Sequence, residues 1–121
     1  MSNNSTVKYF DLHTKGVGYL SRVREVKVKK GPGFLACDIS ALRGSSDAVE
    51  YTRIDCRVSG TEAQRVITQV TEAANDKTKK VLIGFNIGDL YAETFVYGPG
   101  DKAGQTGVSL KGHLLRIAFV K

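Results

Sequence analysis

Residues 19–42, YLSRVREVKVKKGPGFLACDISAL, decide how the rest of the chain is interpreted. The stretch predicts two long strands that fold back on each other through the turn Lys30-Gly31-Pro32-Gly33, because glycine and proline are typical turn residues. Basic side chains line one face of the first strand, and Phe34 directly follows the turn. The segment is therefore interpreted as a hairpin with a basic face.

The alternation along the first strand, about residues 19–30, changes phase in the middle. Val23 is apolar between two arginines, whereas Val26 and Val28 hold the opposite parity. Side chains alternate strictly in a regular strand, so both halves can face one core only if a residue is inserted. We therefore predict a β-bulge near Arg24–Glu25, in a strand bent enough to join two halves of a small barrel.

The hairpin and the third strand present candidate nucleic-acid ligands on their outward faces. Phe34 either stacks on a base or packs under its own loop. The third strand, residues 49–59, places its cysteine and aliphatic residues inward and an aromatic and two arginines outward, where the alternative is a solvated face with an Asp–Arg pair. The candidate DNA-binding residues of these strands and the turn are Arg22, Arg24, Lys27, Lys29, Lys30, Phe34, Tyr51, Arg53 and Arg57.

The period of the sequence then changes to that of a helix over residues 61–75, because Ala63, Ile67 and Ala74 are spaced along one face. Thr61 with Gln64 predicts a capping box. We expect this helix to plug one end of the sheet, without chemistry of its own.

Two further strands are predicted at residues 80–88 and 90–97, and a last one at 108–121 with a bulge at Gly112. Tyr91, Phe95 and Tyr97 share one parity, so they form either a stacking platform or an oligomer interface. The glycine-rich loop 98–107 carries Lys102, a further DNA-binding candidate, and it lacks the ending of a Walker loop.

Three strands, one helix and then closing strands is the element order of an OB-fold. The predicted fold class is mainly β: a five- to six-stranded antiparallel Greek-key barrel with one α-helix between strands 3 and 4. We expect residues 1–6 to be disordered and residues 7–121 to form a single domain.

Composition favours a polyanionic partner. The 121 residues carry a net charge of +6, and no apolar run is long enough to span a bilayer. Cys37 and Cys56 take the apolar parity of their strands, which predicts buried free thiols, and the expected location is cytoplasmic. No cofactor or metal is expected and the protein is not predicted to be an enzyme, because His13 and His113 form no ligand or catalytic motif with these cysteines.

Three stretches carry a resemblance to a known family: VKKGPGFLACDISALRG, YTRIDCRVSGTEAQRV and IGDLYAETFVYGPGDKAGQTGVSLKGHLLRI. They resemble replication proteins of bacterial integrative and conjugative elements that are similar to single-stranded DNA-binding proteins. The resemblance covers nearly the whole chain after Lys8. It implies an OB-fold, sequence-tolerant single-strand binding and a homo-oligomer, either a dimer or a tetramer. The chain departs from the general pattern because it has no tryptophan and no acidic tail for recruiting replication proteins.

Two functions remain open at this point. In the first, the domain coats single-stranded DNA through its outward strand faces and supports replication or transfer of a mobile element. In the second, it is an assembly module of a replication complex that uses Tyr91, Phe95 and Tyr97 and does not bind DNA directly.

Overall fold

Five strands form a closed barrel in the order β1-β2-β3-β5-β4 in the computed structural model, which describes residues 10–121. The elements are β1 His13–Val26, β2 Phe34–Arg43, β3 Glu50–Val58, α1 Thr61–Asn75, β4 Val81–Val96 and β5 Thr106–Val120. This topology, with the helix between β3 and β4, is that of an OB-fold, so the predicted fold class is confirmed. The barrel is not entirely antiparallel, because β3 and β5 pair in parallel. The predicted disordered segment 1–6 lies outside the described residues.

Alternating side chains fill the barrel, as the sequence parity predicts. The inward residues of β3 and β4 are buried, namely Ile54, Cys56, Val58, Val81, Ile83, Phe85 and Ile87. Cys37 and Cys56 are register partners across β2 and β3, and both are buried free thiols as expected. Burial raises the pKa of Cys37 to about 12 and raises the pKa of Cys56 as well. Both thiols therefore stay protonated at neutral pH and behave as small apolar core groups.

The first strand ends earlier than the sequence predicts. The β1–β2 ladder closes at the pair Val26 and Phe34, so residues 27–33 form a loop. Pro32 has no N–H for a ladder, and Gly31 adopts a positive φ of 89°. The prediction that Lys27 and Lys29 belong to a strand face was wrong, and the same loop carries Lys30 and an exposed Val28.

The predicted bulge is present, but it lies slightly earlier in β1, between Ser21 and Arg24. Arg22 takes a positive φ of 48° there, which allows Leu20 and Val23 both to face the core. Asn75 fixes this backbone. The N–H of Val23 donates to Asn75 Oδ1 at 2.8 Å, and Asn75 Nδ2 donates to the Val23 carbonyl at 2.9 Å. The last residue of the helix therefore holds the bulge in place.

The predicted helix bounds are correct, whereas the predicted capping box was wrong. Gly60 is the N-cap residue, and no side chain in the described part of the chain caps the helix start. Gln64 instead donates its side-chain amide to the Val58 carbonyl at 3.3 Å. No helix within residues 10–121 has the length and apolarity to cross a membrane.

The two strands predicted at 80–88 and 90–97 are one strand, β4, with a register shift between Gly88 and Tyr91. The bulge here is therefore on β4, where Asp89 has a φ of 56°, and not at Gly112 as predicted. Beyond it, residues 91–96 pair with 106–111 as the β4–β5 arm, which becomes two-stranded past Leu110, the last residue toward the tip that still pairs with β3. The tip of the arm is hydrogen-bonded, since the Tyr97 N–H donates to the Gln105 carbonyl at 2.9 Å.

Candidate nucleic-acid interface

Strand register aligns the outward side chains of β2, β3 and β5 in rows across the barrel. Asp38 is the partner of Asp55, which is in turn the partner of Lys111. In the adjacent outward row, Arg57 is the partner of His113. Residues far apart in sequence therefore form one continuous polar face.

A cluster of ion pairs occupies the β1 side of this face. Asp38 is only 2% exposed, although it has the outward parity of β2. Its carboxylate accepts hydrogen bonds from Arg22 at 2.9 Å, from Arg24 at 3.1 Å and from Arg53 at 2.5 Å. Arg24 also bonds Asp55 at 2.8 Å. We name these five residues the arginine cluster.

The carboxylates orient the arginines and neutralise part of their charge. Three guanidinium groups face two carboxylates, so one positive charge remains. The side chains of Arg22 and Arg53 are 62% and 61% exposed, and a guanidinium has five N–H donors, so both keep donors for a phosphate. Arg24 is only 29% exposed and bridges the two carboxylates, so its main role is to hold the cluster together.

Next to the arginine cluster lies a cleft of about 370 Å³, the Phe34 cleft. The guanidinium carbon of Arg57 lies 4.2 Å from the centroid of the half-buried Phe34 ring, so Phe34 packs under Arg57. Tyr91, Lys111 and His113 line the same cleft. It therefore combines aromatic rings with cations, the two kinds of group that hold an unpaired nucleic-acid strand.

A second concavity, of about 720 Å³, lies between the outward face of β1–β3 and the turn after the helix. We call it the helix-side groove. The rings of Tyr19 and Tyr51 lie side by side there, with their centroids 6.4 Å apart. Lys80 Nζ lies 5.4 Å from the centroid of Tyr19. Tyr51 is exposed, so its ring is open to a ligand.

The structure brings most of the candidate DNA-binding residues to one side of the barrel, but not all of them. Lys27, Lys29 and Lys30 lie on the loop that leads into Phe34. Lys102 lies at the tip of the arm, where its Nζ is 5.2 Å from the Tyr97 ring. The Val96–Thr106 pair is five residues from the Tyr91–Lys111 pair, which places the tip about 16 Å from the cleft.

The three aromatics of β4 are divided between two places. Tyr91 lines the Phe34 cleft, whereas Phe95 and Tyr97 pack edge to face farther along the arm, 4.8 Å apart. Sequence reasoning missed Asp38, Lys111 and His113 as parts of the polar face. The one signal in the sequence was that Asp38 has the outward parity of β2, the parity on which the neighbouring strands carry arginines.

The structure separates His113 from the two cysteines, whose side chains lie in the core. His113 is on the outer face, where its Nδ1 is 2.8 Å from Ser59 Oγ. Across residues 10–121, no three His, Cys, Asp or Glu side chains are grouped as metal ligands.

The fold and the site define an OB barrel with an aromatic and cationic outer face. The chain belongs to the family described as Protein of unknown function (DUF3577), whose model matches residues 3–121. It is similar to a crystal structure of the mitochondrial single-stranded DNA-binding protein Rim1 from S. cerevisiae (Form2). The two are 17% identical with a TM-score of 0.49, over 92% of this chain and 96% of that chain. A selenomethionine-labelled crystal of the same yeast protein gives 16% identity and a TM-score of 0.42, over 90% and 94% of the two chains. No curated protein matches the chain.

Proposed function

We propose that the protein binds single-stranded DNA, with little sequence preference, across the outer face of β2, β3 and β5. The Phe34 cleft carries this proposal, because a stacked Phe34–Arg57 pair lies beside the exposed ring of Tyr91. Aromatic rings accept any base by stacking, and arginine and lysine neutralise the backbone. The loop lysines at 27, 29 and 30 precede Phe34 directly and would contact the phosphates that enter the cleft.

The replacement Phe34→Ala is expected to weaken binding to an unstructured oligothymidylate. The loss of one stacked base is worth roughly 1–3 kcal/mol, which corresponds to a dissociation constant at least about fivefold higher. Fluorescence anisotropy at low salt measures it. Phe10→Ala is the matched control, because Phe10 is almost fully exposed and lies outside the barrel strands. Equal affinities for the wild type and Phe34→Ala would place the DNA elsewhere, and an absence of binding by the wild type would refute the proposal.

The biological role that we propose is support of replication or transfer of a mobile element in the cytoplasm, together with other replication proteins. It follows from the resemblance of the GDLYAETF and GVSLKGHLLRI segments to proteins of conjugative elements. The proposed binding chemistry does not depend on this role, because stacking and phosphate neutralisation act on any unpaired strand.

Homo-oligomer formation is a second proposal, and the β4–β5 arm favours it. Val96 and Val108 are 67% and 65% exposed on one face of the arm, and Phe95 is exposed on the other. Two-stranded hairpins are marginally stable alone, and exposed apolar patches tend to be covered in solution. An assembly module that uses this arm, with Tyr91, Phe95 and Tyr97, is the alternative function if DNA does not bind.

The double replacement of Val96 and Val108 by lysine is expected to convert a dimer or tetramer into a monomer, because charges in an apolar contact are desolvated without a partner. Light scattering after size-exclusion chromatography measures the mass. Val49→Lys serves as the control, since Val49 is an exposed valine outside the arm. A monomeric wild type would contradict an interface on the arm, and an arm variant that keeps the wild-type mass would contradict an interface on the face that carries Val96 and Val108.

A further inference from the structure

We propose that the helix-side groove extends the DNA path, so that it holds the nucleotides beyond the Phe34 cleft. The inference rests on the proposed function and assigns a second part of the binding surface. It adds Tyr19 and the lysines of the turn after the helix to the binding surface. The alternation of side chains along the strands did not identify these residues as candidates.

Of the two tyrosine rings in the groove, Tyr19 is covered by a lysine and Tyr51 is exposed. Lys80 lies over the Tyr19 ring, and Tyr19 and Tyr51 are tilted by 45° to each other. Tyr51 therefore offers its free face for stacking, while Tyr19 supports it from the side. A base on Tyr51 would have Lys80 nearby as a cation for its phosphate.

The charge of the groove suits a polyanion. Among its lining residues, Lys77, Lys79 and Lys80 face the carboxylate of Asp76, and Arg22 adds a guanidinium whose charge is shared with Asp38. That carboxylate is already occupied, because it accepts hydrogen bonds from the Thr78 N–H at 2.9 Å and the Thr78 hydroxyl at 2.6 Å. These bonds also lower the pKa of Asp76, so the carboxylate stays charged at neutral pH, and the three lysines of the lining outnumber it.

The turn that carries the lysines is held in place from both ends. The Lys79 N–H donates to the Asp76 carbonyl at 3.0 Å. Asn75, just before the turn, is bonded twice to the bulge backbone at Val23, next to Arg22. The lysines of the turn and Arg22 of the bulge are therefore joined through hydrogen-bonded backbone, and all of them line the groove.

The two sites lie on one path along β3. Arg57 in the Phe34 cleft and Tyr51 in the groove are six residues apart on this strand, which is about 20 Å. Arg53 lies between them with its exposed guanidinium. At about 3.4 Å per stacked nucleotide this distance spans about six nucleotides, within the roughly 4–16 that one OB-fold covers.

The experiment compares two oligothymidylates, of about four and about sixteen nucleotides, the two ends of the range covered by one OB-fold. A strand of about four nucleotides is too short to reach from the Phe34 cleft to Tyr51. The groove variant is Lys79→Gln/Lys80→Gln. The matched control is Lys15→Gln/Arg116→Gln, which removes the same charge from the far side of the barrel, where both residues flank Asn86 on β1 and β5. Anisotropy titrations over a salt series give the affinity and its salt dependence.

The groove variant is expected to bind the longer oligonucleotide about tenfold more weakly, because each lost phosphate contact lowers the affinity about threefold. Its salt slope should fall by up to about 1.4, while binding of the short oligonucleotide changes less than about twofold. The proposed role of the groove would be contradicted if the variant lost affinity equally for both lengths, lost none, or lost no more than the control pair. Each of these results would leave the proposed DNA binding intact. If the wild type binds neither length, the proposed function fails first and the groove fails with it.

Discussion

The replacement Asp38→Asn is expected to lower the free energy of unfolding by about 2–4 kcal/mol. Asparagine has nearly the same shape, so the effect isolates the charge. Without the carboxylate, Arg22, Arg24 and Arg53 would face one another around a buried neutral amide. The exposed arginines can recover some hydration, which keeps the loss below that of a fully buried ion pair. Urea unfolding followed by circular dichroism measures it.

Asp55→Asn is the matched control in the same cluster. Asp55 is partly exposed, and within residues 10–121 its carboxylate pairs with Arg24 alone, so the expected loss is below about 1 kcal/mol. Similar losses in the two variants would show that burial of Asp38 does not set the strength of the cluster. Asp38→Asn also removes a negative charge from the proposed interface, so we expect its DNA affinity to be equal to or higher than that of the wild type.

A second large effect is expected at Gly18, where the replacement by alanine should cost about 2–3 kcal/mol. A Cβ atom there would lie 2.6 Å from the Ser40 carbonyl oxygen and 2.9 Å from the Ala41 Cα. Both are backbone atoms of β2, so the clash can be relieved only if β1 and β2 move apart. Thermal or urea unfolding measures the loss.

Gly98→Ala is the control, because a Cβ at this glycine, in the loop at the tip of the arm, would meet no atom of the described residues within 4 Å. Its expected effect is within about 0.5 kcal/mol of zero. Equal stability of both variants and the wild type would contradict the close approach of β1 and β2. The register places Gly18 opposite Ala41, so this glycine makes the close contact between β1 and β2.

The sequence by itself determined the barrel class, the helix at residues 61–75, the parity of the core and the existence of a bulge in β1. These features depend on local periodicity, since side chains alternate in a strand and recur every 3.6 residues in a helix. The ends of the strands could not be predicted as well from the sequence. Residues 27–33 form a loop, so the lysines there do not belong to the β1–β2 ladder. The two strands predicted on either side of Asp89 are one strand with a bulge at that residue.

The arrangement of the candidate site was decided only by the tertiary structure. Arginines that look like free cations in the sequence are paired, because register places Asp38 between residues that lie 14 to 16 positions away. Tyr19 and Lys80 meet for the same reason: β1 pairs with β4, and the turn after the helix enters that strand. Alternation tells which side of a strand a residue faces, but its neighbours on that side are set by strand order and register. The basic hairpin at residues 19–42 is therefore a bent barrel strand followed by a lysine loop, and much of its charge is already shared with Asp38.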